Sequence, residues 1–303
     1  MKPSGRQTVL VHGDQVAVVV EVGGGLRTYR VGGRQILDGY GPDELCASGR
    51  GQPLIPWPNR LAGGHYTFEG QPYQASIDEV TAGNAIHGVT RWQSWDVSQT
   101  GEAEAVMSLE LRPTPGYPFS LHVVIRYTLD DAGLTVTTTA GNHGTGACPW
   151  ALGFHPYLAA FGGLVDDLEL QAPGRVRYLA DARGIPTGRD PVGGAWDFRA
   201  GRTIGGLHLD TGFSDLDRDD TGRATVTLRR PGHGGEVVRL WMDEAFTHLM
   251  IFTGDTVSDP ARRRRGLAVE PMTAAPDAFN SGDGLVVLQP GETTQAVWGI
   301  ICG

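Results

Sequence analysis

Cysteine is scarce in this chain, and its spacing forms no pattern. The three residues, Cys46, Cys148 and Cys302, are far apart, odd in number and without a C-x-x-C pair. That excludes a disulfide framework and reads as reduced, structural thiols in a reducing compartment. Long apolar runs are missing as well. The longest early one, residues 16–20, is far too short to cross a bilayer, and the opening MKPSGRQTVLVHGD has no apolar signal core or cleavage-like site. A cytoplasmic protein without a membrane partner is the expectation. Basic charge is in deficit, with 25 Lys and Arg against 34 Asp and Glu and a net charge of −9. Nucleic acid is therefore not an expected partner. G-x-S-x-G, H-E-x-x-H, a phosphate-binding glycine loop with lysine and any Cys/His cluster are all absent. No stretch has the periodicity of a three-turn helix, and there is no linker or tandem repeat.

What the chain has in quantity is glycine, 45 residues, and proline, 19, scattered between short apolar segments. That is the composition of many strands joined by tight turns. Strands are expected at 8–11, 16–22, 26–31 and 35–37. Gly23-Gly24-Gly25 there is a hairpin turn and not a dinucleotide fingerprint, because no helical pattern follows it. Further strands are expected at 65–68 and 71–74 around Glu69-Gly70, then at 106–111, 121–129 and 133–140. In the last of these Leu134, Val136 and Thr138 share one face. After 168–170 and 176–179 comes a loop-rich stretch to about 206. Strands resume at 224–229, 237–241, 248–253, 267–271, 284–288 and 294–301. The fold class is all-β and antiparallel, a single extended sandwich domain over residues 1–303 that can bury a substantial core.

Several blocks combine rigid backbone with chemically useful side chains. LAVEPMTAAPDAFN, residues 267–280, places Glu270 where an apolar strand ends, with Pro271 expected to stop the ladder and a turn or single helical turn following. A carboxylate held that firmly suits a catalytic base. GRGQPLIPWPNR, residues 49–60, is a proline-stiffened loop ending in Asn59 and Arg60. NAIHG, residues 84–88, carries His87, and PWALGFHPY, residues 149–157, carries His155 and Tyr157. LDTGF, residues 209–213, carries Asp210. Taken singly, each has an ordinary reading: His155 as a strand-end histidine, His87 as a turn residue, Arg60 as a surface charge, Asp210 as turn chemistry. Trp57, Trp150 and Tyr157 are candidate stacking surfaces, although large aromatics more often belong to a core.

Together these blocks resemble the aldose 1-epimerase (galactose mutarotase) family, over roughly residues 15 to 300. The matching motifs are N-R-L-A-x-G at Asn59, N-A-I-H-G at Asn84, G-F-H-P-Y at Gly153, the looser D-T-G-F at Asp210, and the Glu270 segment with its P-D-A-F-N run. The resemblance implies a large antiparallel β-sandwich of the galactose mutarotase type. It implies ring opening of a cyclic aldose, with Glu270 as general base and His155 as general acid, and Asn59, Arg60, His87, Tyr157 and Asp210 binding the sugar. No cofactor is implied. The wide sequence spacing of His87, His155 and Asp210 does not favour a metal over hydrogen bonding. His155 is expected to be protonated, its pKa raised by neighbouring carboxylates, and Glu270 ionised. One rival is a hexose-6-phosphate 1-epimerase that clamps phosphate with Arg262, Arg263, Arg264 and Arg265; another is a non-catalytic carbohydrate-binding module. A glycoside hydrolase fits less well, since it needs two carboxylates across the scissile bond. Nothing in the sequence sets the oligomeric state.

Overall fold

A computed structural model describes residues 1–232 and 236–302. Among them the strands gather into two large antiparallel sheets, a four-stranded meander at the start of the chain and three two-stranded pairs. The nine-stranded sheet runs through Glu104–Leu111, Leu121–Asp130, Gly133–Asn142, Thr293–Cys302 and Val237–Met242 near its middle. Strict alternation builds its inner face. Leu121, Val123, Ile125, Tyr127 and Leu129 are all buried, and so are Leu134, Val136 and Thr138, because successive side chains of a strand point to opposite faces. The eight-stranded sheet contains, in spatial order, Pro186–Pro191, Gly174–Ala180, Asp210–Leu216, His248–Phe252 and Gly266–Met272, then Gly153–Phe154 and Pro53–Leu54; Tyr157–Ala159 also pairs with Gly266–Met272. Among the described residues the α-helical content is one turn, Ala278–Ser281. No helix among the described residues is long and apolar enough to cross a membrane.

Strand register in the eight-stranded sheet decides which side chains meet. Leu267 and Val269, with Leu249 and Ile251 of the neighbouring strand, belong to the shared apolar core. The alternate positions therefore face the other way. Asp210 pairs with Phe252, Phe252 with Ala268, and Ala268 with Tyr157. That is one row across four strands, all on the face away from the core, and Glu270 stands two residues along from Ala268 on the same face. Every residue of Gly266–Met272 is buried, because both its faces are covered.

Three local expectations are corrected. The ladder does not stop at Pro271: Leu249 pairs with Pro271 and His248 with Met272. The proline is tolerated because of where its missing donor falls. The Val269 N–H donates to Pro156 O and the Thr273 N–H to Leu152 O, so position 271 faces the same side, at the break between Gly153–Phe154 and Tyr157–Ala159. Asp210 is the first residue of the strand Asp210–Leu216 rather than part of a turn. The loop-rich stretch also contains the strand Pro186–Pro191, an exposed edge strand with proline at each end, where a missing N–H costs least.

Candidate active site

The interrupted pairing at His155 is what turns this residue toward an opening. Its N–H donates to Gln52 O at 3.1 Å and its carbonyl accepts from the Gly51 N–H at 2.9 Å, so the backbone is tied to the 49–60 loop instead of to the strand beside it. The imidazole then lies against Glu270, with Nε2 3.4 Å from Oε1 and side chains only 6% and 3% exposed. Tyr157 stacks on the His155 ring at 4.9 Å and 11°, and the Arg50 guanidinium lies over the Tyr157 ring, 4.3 Å from its centre. The His87 ring meets His155 edge-on at 5.2 Å.

His87 is held by a reciprocal contact. Its backbone N–H donates to Asn59 O at 2.8 Å, and Nδ1 accepts from the Asn59 N–H at 3.2 Å. Accepting at Nδ1 places the ring proton on Nε2, which makes this neutral imidazole a donor on its other side. Both residues take positive φ, 64° for His87 and 54° for Asn59. The tight turn is completed by Gly88, where a Cβ would sit 1.9 Å from Ile55 O.

These groups line a cleft of about 240 Å³ together with Arg60, Asp210, Arg91 and Phe252. All seven residues singled out in the sequence, Asn59, Arg60, His87, His155, Tyr157, Asp210 and Glu270, are brought to it. Arg60 grips both oxygens of Glu79 through Nε at 3.0 Å, and its Nη1 is 3.7 Å from Asp210. Trp57 and Trp150 do not line it. Trp57 packs edge-on against Phe279 at 5.4 Å, and Trp150 is buried in the core. The arginine run is also elsewhere. Arg262 pairs with Asp38 and Glu44, and Arg264 with Asp166 and Asp255. Arg263 donates to Val257 O and Arg265 to Gly162 O. The run is therefore a brace between loops and not a phosphate clamp in this cleft. Arg91, which does line it, went unnoticed in the sequence; its sole signal is that it follows the NAIHG block by three residues.

Burial sets the electrostatics of the pair. Desolvation, with Arg91 second, holds the His155 imidazole down at about 3, and desolvation, with Asp210 second, pushes the Glu270 carboxyl well above its ordinary range. This reverses the expected directions: enclosure outweighs the attraction of each partner for the charged form of the other. A neutral imidazole beside a neutral carboxyl holds the same protons as an imidazolium beside a carboxylate, so the pair is net neutral either way. His155 Nδ1 and Glu270 Oε2 are buried with no hydrogen-bond partner, a cost that folded proteins concentrate at functional sites. One ligand atom each from His87, His155 and Glu270 also falls within 4.8 Å of the others, so these three could jointly contact a cation. Wide separation in sequence is no guide to that.

The fold and cleft first define a class. The chain superposes on a putative aldose 1-epimerase of Escherichia coli K12 with a TM-score of 0.81, 22% identity, and coverage of 98% of this chain and 99% of the other. It superposes on the galactose 1-epimerase of Lactobacillus acidophilus with a TM-score of 0.80, 20% identity, and coverage of 97% and 94%. The architecture is that of galactose mutarotase-like β-sandwiches. The sequence narrows this further. The aldose 1-epimerase family model matches residues 6–300, and the uncharacterized protein YihR of E. coli K12 is 33% identical over 294 residues, 96% of this chain and 92% of the relative. The chain belongs to the aldose 1-epimerase family.

Proposed function

We propose that this protein interconverts the α and β anomers of a free aldose, with Glu270 as general base and His155 as general acid. The observation that carries the reading is the buried His155–Glu270 pair, 3.4 Å apart, at a cleft lined by further hydrogen-bonding groups. Passing the Glu270 proton to His155 within the pair gives carboxylate and imidazolium without changing the net charge. Glu270 then takes the proton of the C1 hydroxyl while His155 gives one to the ring oxygen. The C1–O5 bond breaks, the C1–C2 bond rotates, and attack of O5 on the other face of the C1 carbonyl closes the opposite anomer, with both protons returned. Each proton transfer contributes typically about 10²–10⁴-fold. The neutral His87 offers an Nε2–H to a sugar oxygen, Asn59 fixes its orientation, and Arg60 with Asp210 presents a donor and an acceptor to ring hydroxyls. Tyr157 backs the His155 ring.

The test is polarimetry or exchange NMR on freshly dissolved aldoses with the wild type and Glu270→Gln. The amide keeps the shape and cannot take a proton, so kcat/KM should fall by about 10²-fold or more while sugar affinity changes far less. Near-normal turnover in the variant removes Glu270 from the mechanism. Sugar binding without turnover in the wild type would make the protein a non-catalytic carbohydrate-binding module instead.

A further inference from the structure

A second recess opens directly from the cleft. It has a volume of about 630 Å³ against about 240 Å³ for the cleft, shares Arg60, Asp210 and Thr256 with it, and runs on to Tyr178, Ala180 and Trp196. Its outer wall is the turn between Gly174–Ala180 and Pro186–Pro191, and that turn is fastened in place. Arg183 donates to Ala82 O and Gly83 O, both at 2.8 Å, and to Asn84 Oδ1 at 2.9 Å. Asn84, fully buried, donates back from Nδ2 to Arg183 O at 2.9 Å. Beside it Gly184, with a φ of +77°, packs so closely that a Cβ would lie 2.5 Å from Arg60 Nη1. The recess is therefore shaped before a ligand arrives, which lowers the cost of ordering on binding.

The lining selects the chemistry of that ligand. Among the described residues it sets three arginines, Arg60, Arg177 and Arg183, against three carboxylates, Glu79, Asp181 and Asp210. Arg60 pairs with Glu79 at 2.9 Å, and Asp181 Oδ1 accepts from the Arg183 and Ile185 N–H groups at 2.8 and 2.9 Å. The Arg177 guanidinium lies 4.8 Å from the centre of the Trp196 ring, a planar set of donors beside an aromatic surface. Balanced charge with many placed donors and acceptors suits a neutral polyhydroxyl group better than an anion or an apolar chain.

Strand order says which part of the sugar faces the recess. His155 lies on one side of the strand that carries Glu270. Asp210–Leu216 and Gly174–Ala180 are the second and third strands away on the other side. In the proposed reaction the ring oxygen meets His155 and the C1 hydroxyl meets Glu270. Continuing across the sheet, away from the ring oxygen, the next ring carbons are C2 and C3. C5 and the exocyclic C6 lie beyond the ring oxygen, on the opposite side.

Resting on the aldose 1-epimerase reading, we infer that the preferred substrate is the reducing end of an oligosaccharide. It is a free aldose unit carrying a neutral glycosyl group on C2 or C3, and that group occupies the recess beyond Arg60 and Asp210.

The experiment follows anomer interconversion by exchange NMR for glucose and for kojibiose, nigerose and isomaltose, in which an α-glucosyl group is carried on C2, C3 and C6 of the reducing glucose. Wild type is compared with Ala180→Trp, which fills the recess from an exposed position, and with Arg177→Gln, which removes donors from it. Thermal melts confirm that both variants fold. One or two added hydrogen bonds support an advantage of about 10-fold in kcat/KM for kojibiose or nigerose over glucose and isomaltose, carried mainly in KM. Ala180→Trp should erase that ratio and Arg177→Gln should reduce it, each leaving glucose turnover unchanged. Glucose turned over as well as or better than every disaccharide, a preference for isomaltose, or a loss by the same factor on all four sugars in both variants overturns the inference and leaves the epimerase reading intact. Kojibiose or nigerose binding by calorimetry in wild type and not in Ala180→Trp, with no sugar epimerised, sinks the epimerase reading and keeps the recess as a glycosyl site. Neither binding nor turnover of any of the four overturns both.

Discussion

His155 Nε2 and Glu270 Oε1 lie 3.4 Å apart, with each side chain almost wholly enclosed. Enclosure pushes the two titrations away from each other in an unusual order, the histidine down and the carboxyl up. In the proposed mechanism the functional species is the one in which the pair is net neutral, and its limits on the pH scale follow from those signs.

As pH falls, activity is lost when the pair takes up a further proton. Since the imidazole is held at about 3, that limb should lie well below the ordinary histidine value. As pH rises, activity is lost when the pair gives up the proton it shares, and the raised Glu270 carboxyl places that limb above the usual carboxylate range. kcat/KM against pH should thus show an acid limb well below the ordinary histidine value and an alkaline limb above the usual carboxylate range, both belonging to the pair and not to either residue. Asp210 is, after burial, the main influence raising Glu270. Asp210→Asn should therefore move the alkaline limb to lower pH. A limb that stays in place would separate Asp210 from the pair, and a narrow bell centred near the ordinary histidine value would contradict the effect of burial.

Gly49 tests whether the ring position matters. It has a φ of +69°, and a Cβ there would lie 3.0 Å from His155 Cδ2. Gly49→Ala should cost about 1 kcal/mol of stability from the left-handed backbone alone. It should also push the imidazole by a few tenths of an ångström, lowering kcat by roughly 10-fold with KM little changed. Urea unfolding and steady-state kinetics report the two effects separately. Full kcat together with lowered stability would show that the reaction tolerates the displacement.

The arginine run predicts a stability effect. Arg264, 14% exposed, donates to Asp166 at 2.8 Å, Asp255 at 2.6 Å and Gly205 O at 2.8 Å. Arg264→Ser leaves two carboxylates without their cation and should lower unfolding free energy by about 2–4 kcal/mol. Arg265→Ser, removing one long contact to Gly162 O, should change it by less than about 0.5 kcal/mol. Denaturant melts of both variants decide the point. Equal, small effects would mean that the run is solvated after all.

Much of this molecule is written locally. The alternation of Leu121–Asp130 reads directly as a half-buried strand, and the hairpin around Glu69-Gly70 joins His65–Phe68 to Gln71–Gln74 as the sequence predicts. The motif blocks led to seven cleft residues because each is rigid and chemically distinctive. What was hidden depends on register between distant strands. Asp210 looks like turn chemistry until its pairing with Phe252 sets it in the row that runs to Tyr157. Arg91 has no neighbour in sequence that explains it, since its orientation comes from Gln52, 39 residues away. Pro271 looks like a terminator because the gap that excuses it lies on another strand. Trp57 carries the right chemistry for stacking, but packing against Phe279 takes it into the interior.

The row that joins Asp210, Phe252, Ala268 and Tyr157 also bears on how the molecule comes into being. Its members are drawn from strands spread over more than a third of the chain, and His87 and Asn59 come from still earlier. Emerging from a ribosome, the amino-terminal meander could pair at once from neighbouring segments. The cleft cannot: Glu270 is synthesised long after Asn59 and His87, and their shared site waits for it. Topology of this kind closes long loops before it gains their contacts and folds slowly as a result. Until the carboxy-terminal strands arrive, the nascent chain must hold its apolar strand faces in water with no site yet formed.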